Sequence, residues 1–177
     1  MIRSLFLVLI NIPRIAFGKL FRNRRFNVAW IQRISLRCSL HTFDKSRITI
    51  GHNCEFAPFC DFEAHGDGEL KIGEGCYFNR YCMISAHESI TIGSHCLFGP
   101  GVKIFDNNHK HNPETGVSQS LNTAPITIGN NSWIGSDAII LKGSHIGKNC
   151  VIGAGCIVKG IIPDGSTVTV KQDIIIR

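Results

Sequence analysis

The sequence predicts an all-β solenoid, in which three six-residue units, each a short strand and a turn, close one triangular coil. Three observations carry that fold class. Aliphatic residues recur at a step of six through Ile128, Ile134, Ile140, Ile146, Ile152 and Val158, and apolar residues keep the step at Ile50, Phe56, Phe62, at Ile72, Phe78, Ile84 and at Ile92, Phe98, Ile104. A glycine follows the aliphatic residue at Gly51, Gly73, Gly93, Gly129, Gly135, Gly147 and Gly153. A compact residue stands four positions after it: Cys54, Cys60, Cys76, Cys82, Cys96, Val102, Ser132, Ala138, Ser144, Cys150 and Cys156. Six residues are too few for a hairpin, so each unit reads as a strand and a turn in which glycine permits unusual dihedrals. Stacked coils then bury a column of Ile, Val and Phe and bond only to their neighbours.

Composition agrees. A chain of 177 residues is one domain's worth, and 18 glycines against 6 prolines with 44% apolar residues exclude a disordered or collagen-like chain. The eight cysteines include no CxxC pair. Seven occupy the compact slot, where cysteine acts as a small buried hydrophobe rather than as a disulfide partner or metal ligand, and no metal is expected.

Taken in order, the chain opens on a basic head, residues 1–47, with ten Lys/Arg and one acidic residue, Asp44; the body, residues 48–177, carries nine Lys/Arg and twelve Asp/Glu. The net +6 is therefore a +9 head on a −3 body. A body without a basic stripe argues against nucleic acid. The apolar run Leu5–Ile10 is too short to span a bilayer, which takes about 20 residues, and Pro13-Arg14 interrupts it where a signal peptide would continue. From Ile12 the apolar positions Ile12, Ile15, Ala16 and Leu20 follow helical spacing, with Arg14, Lys19 and Arg22 elsewhere, which predicts a short basic amphipathic helix. It can lie through residues 1–25 on an anionic membrane surface, with the protein on the cytoplasmic side, or pack against the core or between subunits.

Two breaks in register read as loops leaving the coils, at Glu63–Glu69 and, longer, at residues 105–125. An insertion of that length in a compact domain points to function or disorder. It opens Phe105-Asp106-Asn107-Asn108-His109-Lys110-His111, the chain's one cluster of histidine, carboxylate and amide groups, and histidine is the side chain best poised to take a proton near neutral pH.

The glycine-bearing hexad over residues 48 to about 165 resembles the hexapeptide-repeat acyltransferases, whose fold is a left-handed parallel β-helix. The stretch Pro125-Ile-Thr-Ile-Gly-Asn-Asn-Ser-Trp-Ile-Gly-Ser136 is similar to galactoside and maltose acetyltransferases and to capsule and lipopolysaccharide O-acetyltransferases. The resemblance implies acetyl-CoA as co-substrate, a sugar or glycan acceptor in surface polysaccharide biosynthesis, a homotrimer, and direct transfer with a histidine base. The family's catalytic histidine precedes the tryptophan of Trp-Ile-Gly by twenty-four residues, which selects His109 over His111. The family's cleft asparagine matches Asn79 of Tyr77-Phe78-Asn79. An acceptor-contacting Asp of the galactoside enzymes is His87 here, implying a different acceptor. Asp106 is an acceptor or histidine-orienting contact, and Trp133 is an apolar wall of the site or packing between copies. Ser136 and Ala154 match positions that hold the pantetheine arm through backbone amides, and Lys159, displaced by one from the family's lysine, matches a phosphate contact.

Rival readings follow from the same fold. N-acetylation of a nucleotide-linked amino sugar is the nearest, although those relatives often carry an extra N-terminal domain for which 47 residues are too few. The metal-dependent carbonic anhydrase form needs two histidines five apart, and the eight here include no such pair. A non-enzymatic scaffold would leave the histidine-bearing loop without a purpose.

Overall fold

In a computed structural model, which describes residues 2–22 and 25–171, alternate residues along each strand face inward, as the period of two in a pleated strand requires. The first coil is β1 (Phe26–Val28), β2 (Arg33–Ile34) and β3 (Ser39–Thr42), and the second is β4 (Arg47–Ile50), β5 (Glu55–Phe56) and β6 (Asp61–Ala64). The third is β7 (Glu69–Ile72), β8 (Tyr77–Phe78) and β9 (Met83–Ala86), and the fourth is β10 (Ser89–Ile92), β11 (Leu97–Phe98) and β12 (Lys103–Phe105). A hairpin follows, β13 (Asn107–Asn112) and β14 (Gly116–Thr123), before the fifth coil resumes at β15 (Ile126–Ile128), β16 (Trp133–Ile134) and β17 (Ile139–Leu141). The sixth is β18 (His145–Ile146), β19 (Val151–Ile152) and β20 (Ile157–Val158), and β21 (Ile161–Ile162) and β22 (Thr167–Val168) begin a seventh.

Strands of like place pair in parallel, giving three sides: β1-β4-β7-β10-β15-β18-β21, then β2-β5-β8-β11-β16-β19-β22, then β3-β6-β9-β12-β17-β20. Register is in step, Ile50 opposite Ile72 and Ile92 opposite Ile128, so the solenoid crosses the 105–125 insertion without a slip. The hexad residues form the core: every one from Ile50 to Val158 is buried. In the middle coils, Phe56, Phe62 and Phe78 meet edge to face at 4.9–5.2 Å, and Phe78 stacks on Phe98 at 4.2 Å.

Four features of the solenoid differ from the sequence reading. The solenoid begins at Phe26 rather than at residue 48, because Val28, Ile34 and Leu40 already keep the six-residue step, and β1 pairs with β4. Cys38, the cysteine outside the sequence count, thereby falls in the compact slot of the first coil and is buried like the other seven. The hexad glycines serve close approach, not unusual dihedrals. The left-handed residues stand two places later, at Asn53, His95, Asn131 and Asn149, each with φ of 57–58°. A Cβ on Gly51 would lie 2.6 Å from the Glu74 nitrogen of the next coil, so any larger residue would push coils apart. The Glu63–Glu69 segment does not leave the coil either: β6 and β7 run up to a four-residue turn at 65–68.

The compact slot carries a donor as well as a small volume. The thiols of Cys54, Cys60, Cys76 and Cys96 donate to carbonyls of the following coil at 3.1–3.2 Å, and Ser132 does the same at 3.0 Å. Hydrogen bonding to the Cys54 thiol, together with burial, pushes the Cys76 thiol up to about 12, away from thiolate chemistry.

The helix α1 spans Ile2–Arg22, longer than the Ile12 start expected, and contains Pro13. It lies across the open edge of the first coil. Asn11 donates to the Ile34 carbonyl at 2.8 Å, and Arg14 donates to the carbonyls of Ser35 at 3.0 Å and Cys38 at 2.6 Å. Those carbonyls have no earlier coil to bond, so the helix satisfies an edge that would otherwise recruit another strand. Among the described residues no helix is long and apolar enough to cross a membrane.

Candidate active site

The corner between the third and first sides holds the histidine chemistry. Asp106 stands between β12 and the hairpin and is fully buried. Its carboxylate accepts the backbone N–H groups of His87, Glu88 and Ser89 at 2.8–3.0 Å and the Asn107 amide at 3.2 Å. The expected acceptor contact by Asp106 is thereby corrected. The carboxylate is turned inward and clamps successive coils together at this corner, and what it positions is the root of the hairpin.

The 105–125 insertion is ordered chain: β13 and β14 pair antiparallel, with a register irregularity between His109 and His111. His109 stands exposed on β13, and its Nδ1 lies 3.0 Å from the Ser118 carbonyl oxygen on β14. A carbonyl only accepts, so in the neutral ring Nδ1 carries the proton and Nε2 presents a free lone pair. The hairpin therefore sets the tautomer a general base needs. Among the described residues the His111 ring has no such partner, and the two histidines differ on this point. Sequence reasoning did not single out Ser118, because any residue supplies a carbonyl and only the hairpin register shows which one.

His87 sits half-buried one coil earlier at the same corner, stacked on His65 at 4.6 Å, which stacks in turn on Phe43. Burial first, and then the neighbouring His65, lower its pKa from the ordinary histidine value, so it stays neutral at pH 7. The 22-residue spacing of Phe43, His65 and His87 is readable in the sequence once the first coil is counted. Lys159 is exposed at this corner, after β20.

The corner between the second and third sides holds a different set: Asn79, Ser136 and Ala154. Asn79 uses its side-chain oxygen to accept the Arg80 N–H at 2.8 Å. It borders a cleft of about 500 Å³ with Leu7, Arg33, Glu55, Tyr77 and Arg80. A Cβ on Gly99 would lie 2.6 Å from the Ser136 nitrogen, and one on Gly135 would lie 2.6 Å from the Ala154 nitrogen, so the backbone here is stacked as tightly as it can be. Among the described residues neither the Ser136 nor the Ala154 N–H donates to another backbone carbonyl. Beside this corner, Trp133 lies on the outer face of the second side, 53% exposed, between Leu97 and Val151.

One chain thus brings His87, Asp106, His109 and Lys159 to one corner, and Asn79, Ser136 and Ala154 to another. Among the described residues no group of three or more His, Cys, Asp or Glu side chains converges as a metal site.

Comparison with known proteins adds to this geometry. Residues 125–160 match the bacterial transferase hexapeptide family (six repeats). The galactoside O-acetyltransferase of Escherichia coli (strain K12) is 44% identical over 75 residues, 42% of this chain and 37% of that protein, so the chain matches well under half of this relative's length. A structure of a galactoside acetyltransferase in complex with coenzyme A superposes with a TM-score of 0.55 at 28% identity, covering 87% of this chain and 64% of that one. AntD, an N-acyltransferase from Bacillus cereus solved with dTDP-4-amino-4,6-dideoxyglucose and coenzyme A, shares the fold with a TM-score of 0.67 at 18% identity, over 87% of this chain and 86% of that one. The six-residue period closed into stacked parallel coils and the match over residues 125–160 make the chain similar to the hexapeptide-repeat transferases over that stretch.

Proposed function

We propose that the protein is an acetyl-CoA-dependent O-acetyltransferase of a sugar hydroxyl on a surface glycan. The observation that carries this reading is the His109 ring, fixed by the Ser118 carbonyl on a hairpin that projects from a rigid coil, with Nε2 free to take a proton. The acceptor hydroxyl gives its proton to Nε2 as its oxygen forms a bond to the thioester carbonyl carbon. The tetrahedral intermediate collapses by breaking the carbon–sulfur bond, and the imidazolium returns the proton to the departing thiolate, so no covalent enzyme intermediate is needed.

The corner at Ser136 and Ala154 suits the pantetheine arm: two unpaired backbone N–H donors flanked by small side chains let a ligand approach the chain closely. Lys159 is the phosphate contact in this reading, Trp133 an apolar wall, and Asn79 and His87 acceptor contacts. Because these groups occupy two different corners of the solenoid, the complete site forms where a second copy sets its Ser136–Ala154 corner against the His109 corner of the first. That requirement supports a closed homotrimer.

The test is His109→Ala beside His111→Ala. A general base contributes about 100-fold or more, so His109→Ala should lose at least that in transfer while acetyl-CoA binding and assembly persist, and His111→Ala should stay within a few-fold. Activity of His109→Ala within a few-fold of the parent refutes the assignment. Mass spectrometry of products from neutral glycans and from nucleotide-linked amino sugars distinguishes ester from amide formation, and an amide alone would replace the O-acetyl reading with its rival.

A further inference from the structure

We infer that the outer face of α1 docks the N-terminal end of the solenoid on an anionic lipid surface. The inference is independent of the reaction proposed above. The inward face of the helix is committed: Asn11, Ile15 and Gly18 are buried against the first coil, and Arg14 is tied to two of its carbonyls. The outward face has the opposite character. Every exposed residue between Leu5 and Phe21 is apolar, and Leu5, Phe6, Leu9, Phe17, Leu20 and Phe21 are each 57–77% exposed. A water-facing helix surface normally carries charge and amide groups, and here they are absent from the whole outward half.

Charge chooses the occupant. No Asp or Glu occurs before Asp44, whereas residues 1–43 hold eight Lys/Arg. Lys19 flanks the apolar face, its ammonium 4.4 Å from the centre of the Trp30 ring, and Trp30 and Ile31 are themselves about half exposed beside it. A tryptophan next to a cation at the margin of an apolar stripe suits the headgroup level of a bilayer. A second copy of the same face would bring like charges together, and a neutral protein partner would leave the cations without a purpose. The helix cannot span, so it lies in the interface with the coils stacked away from the surface.

The experiment uses the full chain and sedimentation with vesicles of phosphatidylcholine alone or with about one third phosphatidylglycerol, at low and high salt. The full chain should pellet with the anionic vesicles and be released by salt. The triple variant Leu9→Glu, Phe17→Glu, Leu20→Glu should bind them at least about 10-fold more weakly, with unchanged circular dichroism and acetyl-CoA binding, because all three side chains are more than half exposed. Lys19→Glu with Arg25→Glu, which leaves the apolar face intact, should lower binding and its salt dependence together. Equal binding to neutral and anionic vesicles, or undiminished binding by the triple variant, overturns the inference. Absence of vesicle binding, with a change of oligomeric state in the triple variant, overturns it in favour of self-association.

Discussion

Asp106→Ala is the substitution through which fold and chemistry can be read together. The carboxylate is fully buried and among the described residues no cation pairs with it; what holds it is three backbone N–H groups at 2.8–3.0 Å and the Asn107 amide at 3.2 Å. A hydrogen bond to a charged group contributes roughly 1.5–3 kcal/mol net, and each buried N–H left without an acceptor costs roughly 1–3 kcal/mol. The losses do not add, because the turn at His87–Ser89 can relax and admit water, so the expected destabilisation is about 3–5 kcal/mol. Asp106→Asn keeps one acceptor oxygen and turns an amide donor toward N–H groups, and should cost about half as much. Urea midpoints at one fixed protein concentration measure both, since assembly contributes to stability. The kinetic signature is a split. The hairpin starts at the next residue, so turnover should fall as His109 is displaced, while the KM for acetyl-CoA, whose proposed backbone contacts lie at another corner, should hold. A midpoint shift worth under about 0.5 kcal/mol for Asp106→Ala would refute the clamp.

Four further outcomes are expected. Gly135→Val should destabilise the protein by about 2 kcal/mol or more, because a Cβ there meets the Ala154 nitrogen at 2.6 Å, and thermal unfolding at fixed concentration reads it. None of the eight buried thiols should react with an aromatic disulfide reagent in the native protein, and all eight should react in denaturant; fast reaction of any one would contradict its burial. Stability should depend on pH through His87. Its folded pKa is lowered, so the unfolded chain binds the proton more readily, and the stability is complete above about 6.5 and declines as pH falls below it. His87→Phe, which keeps a ring on His65, should flatten that slope in urea titrations at pH 7.5 and 5.5. Finally, co-expressing His109→Ala with Ala154→Trp should recover transfer activity that neither variant shows alone, because some sites would then pair an intact His109 corner with an intact Ala154 corner; no recovery would place both groups in one chain's site.

What the sequence made legible follows from how repetitive the constraint is. The six-residue step was readable because each inward residue meets the same environment in every coil, and Ile50 to Val158 are buried as that step requires. The first coil escaped notice for a physical reason. Val28-Ala29 lacks the hexad glycine, and the positive charge of residues 1–47 resembled a detached head, although Val28, Ile34 and Leu40 keep the period. The glycines were visible but their purpose was not, since inter-coil spacing is invisible along the chain. The same limit holds at the site. The resemblance points to His109 through its distance from Trp133, but the Ser118 carbonyl beside its ring depends on hairpin register, and the inward turn of Asp106 depends on the same corner one coil earlier.

The division of the proposed site residues between two corners follows from the solenoid itself. Equivalent positions in successive coils stack into columns, so residues separated by one coil in sequence share a corner, as Ser136 and Ala154 do, while residues separated by one side cannot meet. A strand and turn per side keep adjacent corners on the order of 15 Å apart. Between the first and last described coils, the antiparallel hairpin is free of that column rule, since it leaves the fourth coil and returns to the fifth without disturbing the pairing of β10 with β15. In the proposed assembly it is therefore the device by which a histidine from one corner would reach a column belonging to a second copy. Shortening the hairpin to a direct turn from Asp106 to Ala124, whose N–H already bonds the Asp106 carbonyl at 2.9 Å, should leave coil stability and assembly intact and abolish transfer. Loss of folding in that variant would show instead that β13 and β14 belong to the scaffold rather than to the site.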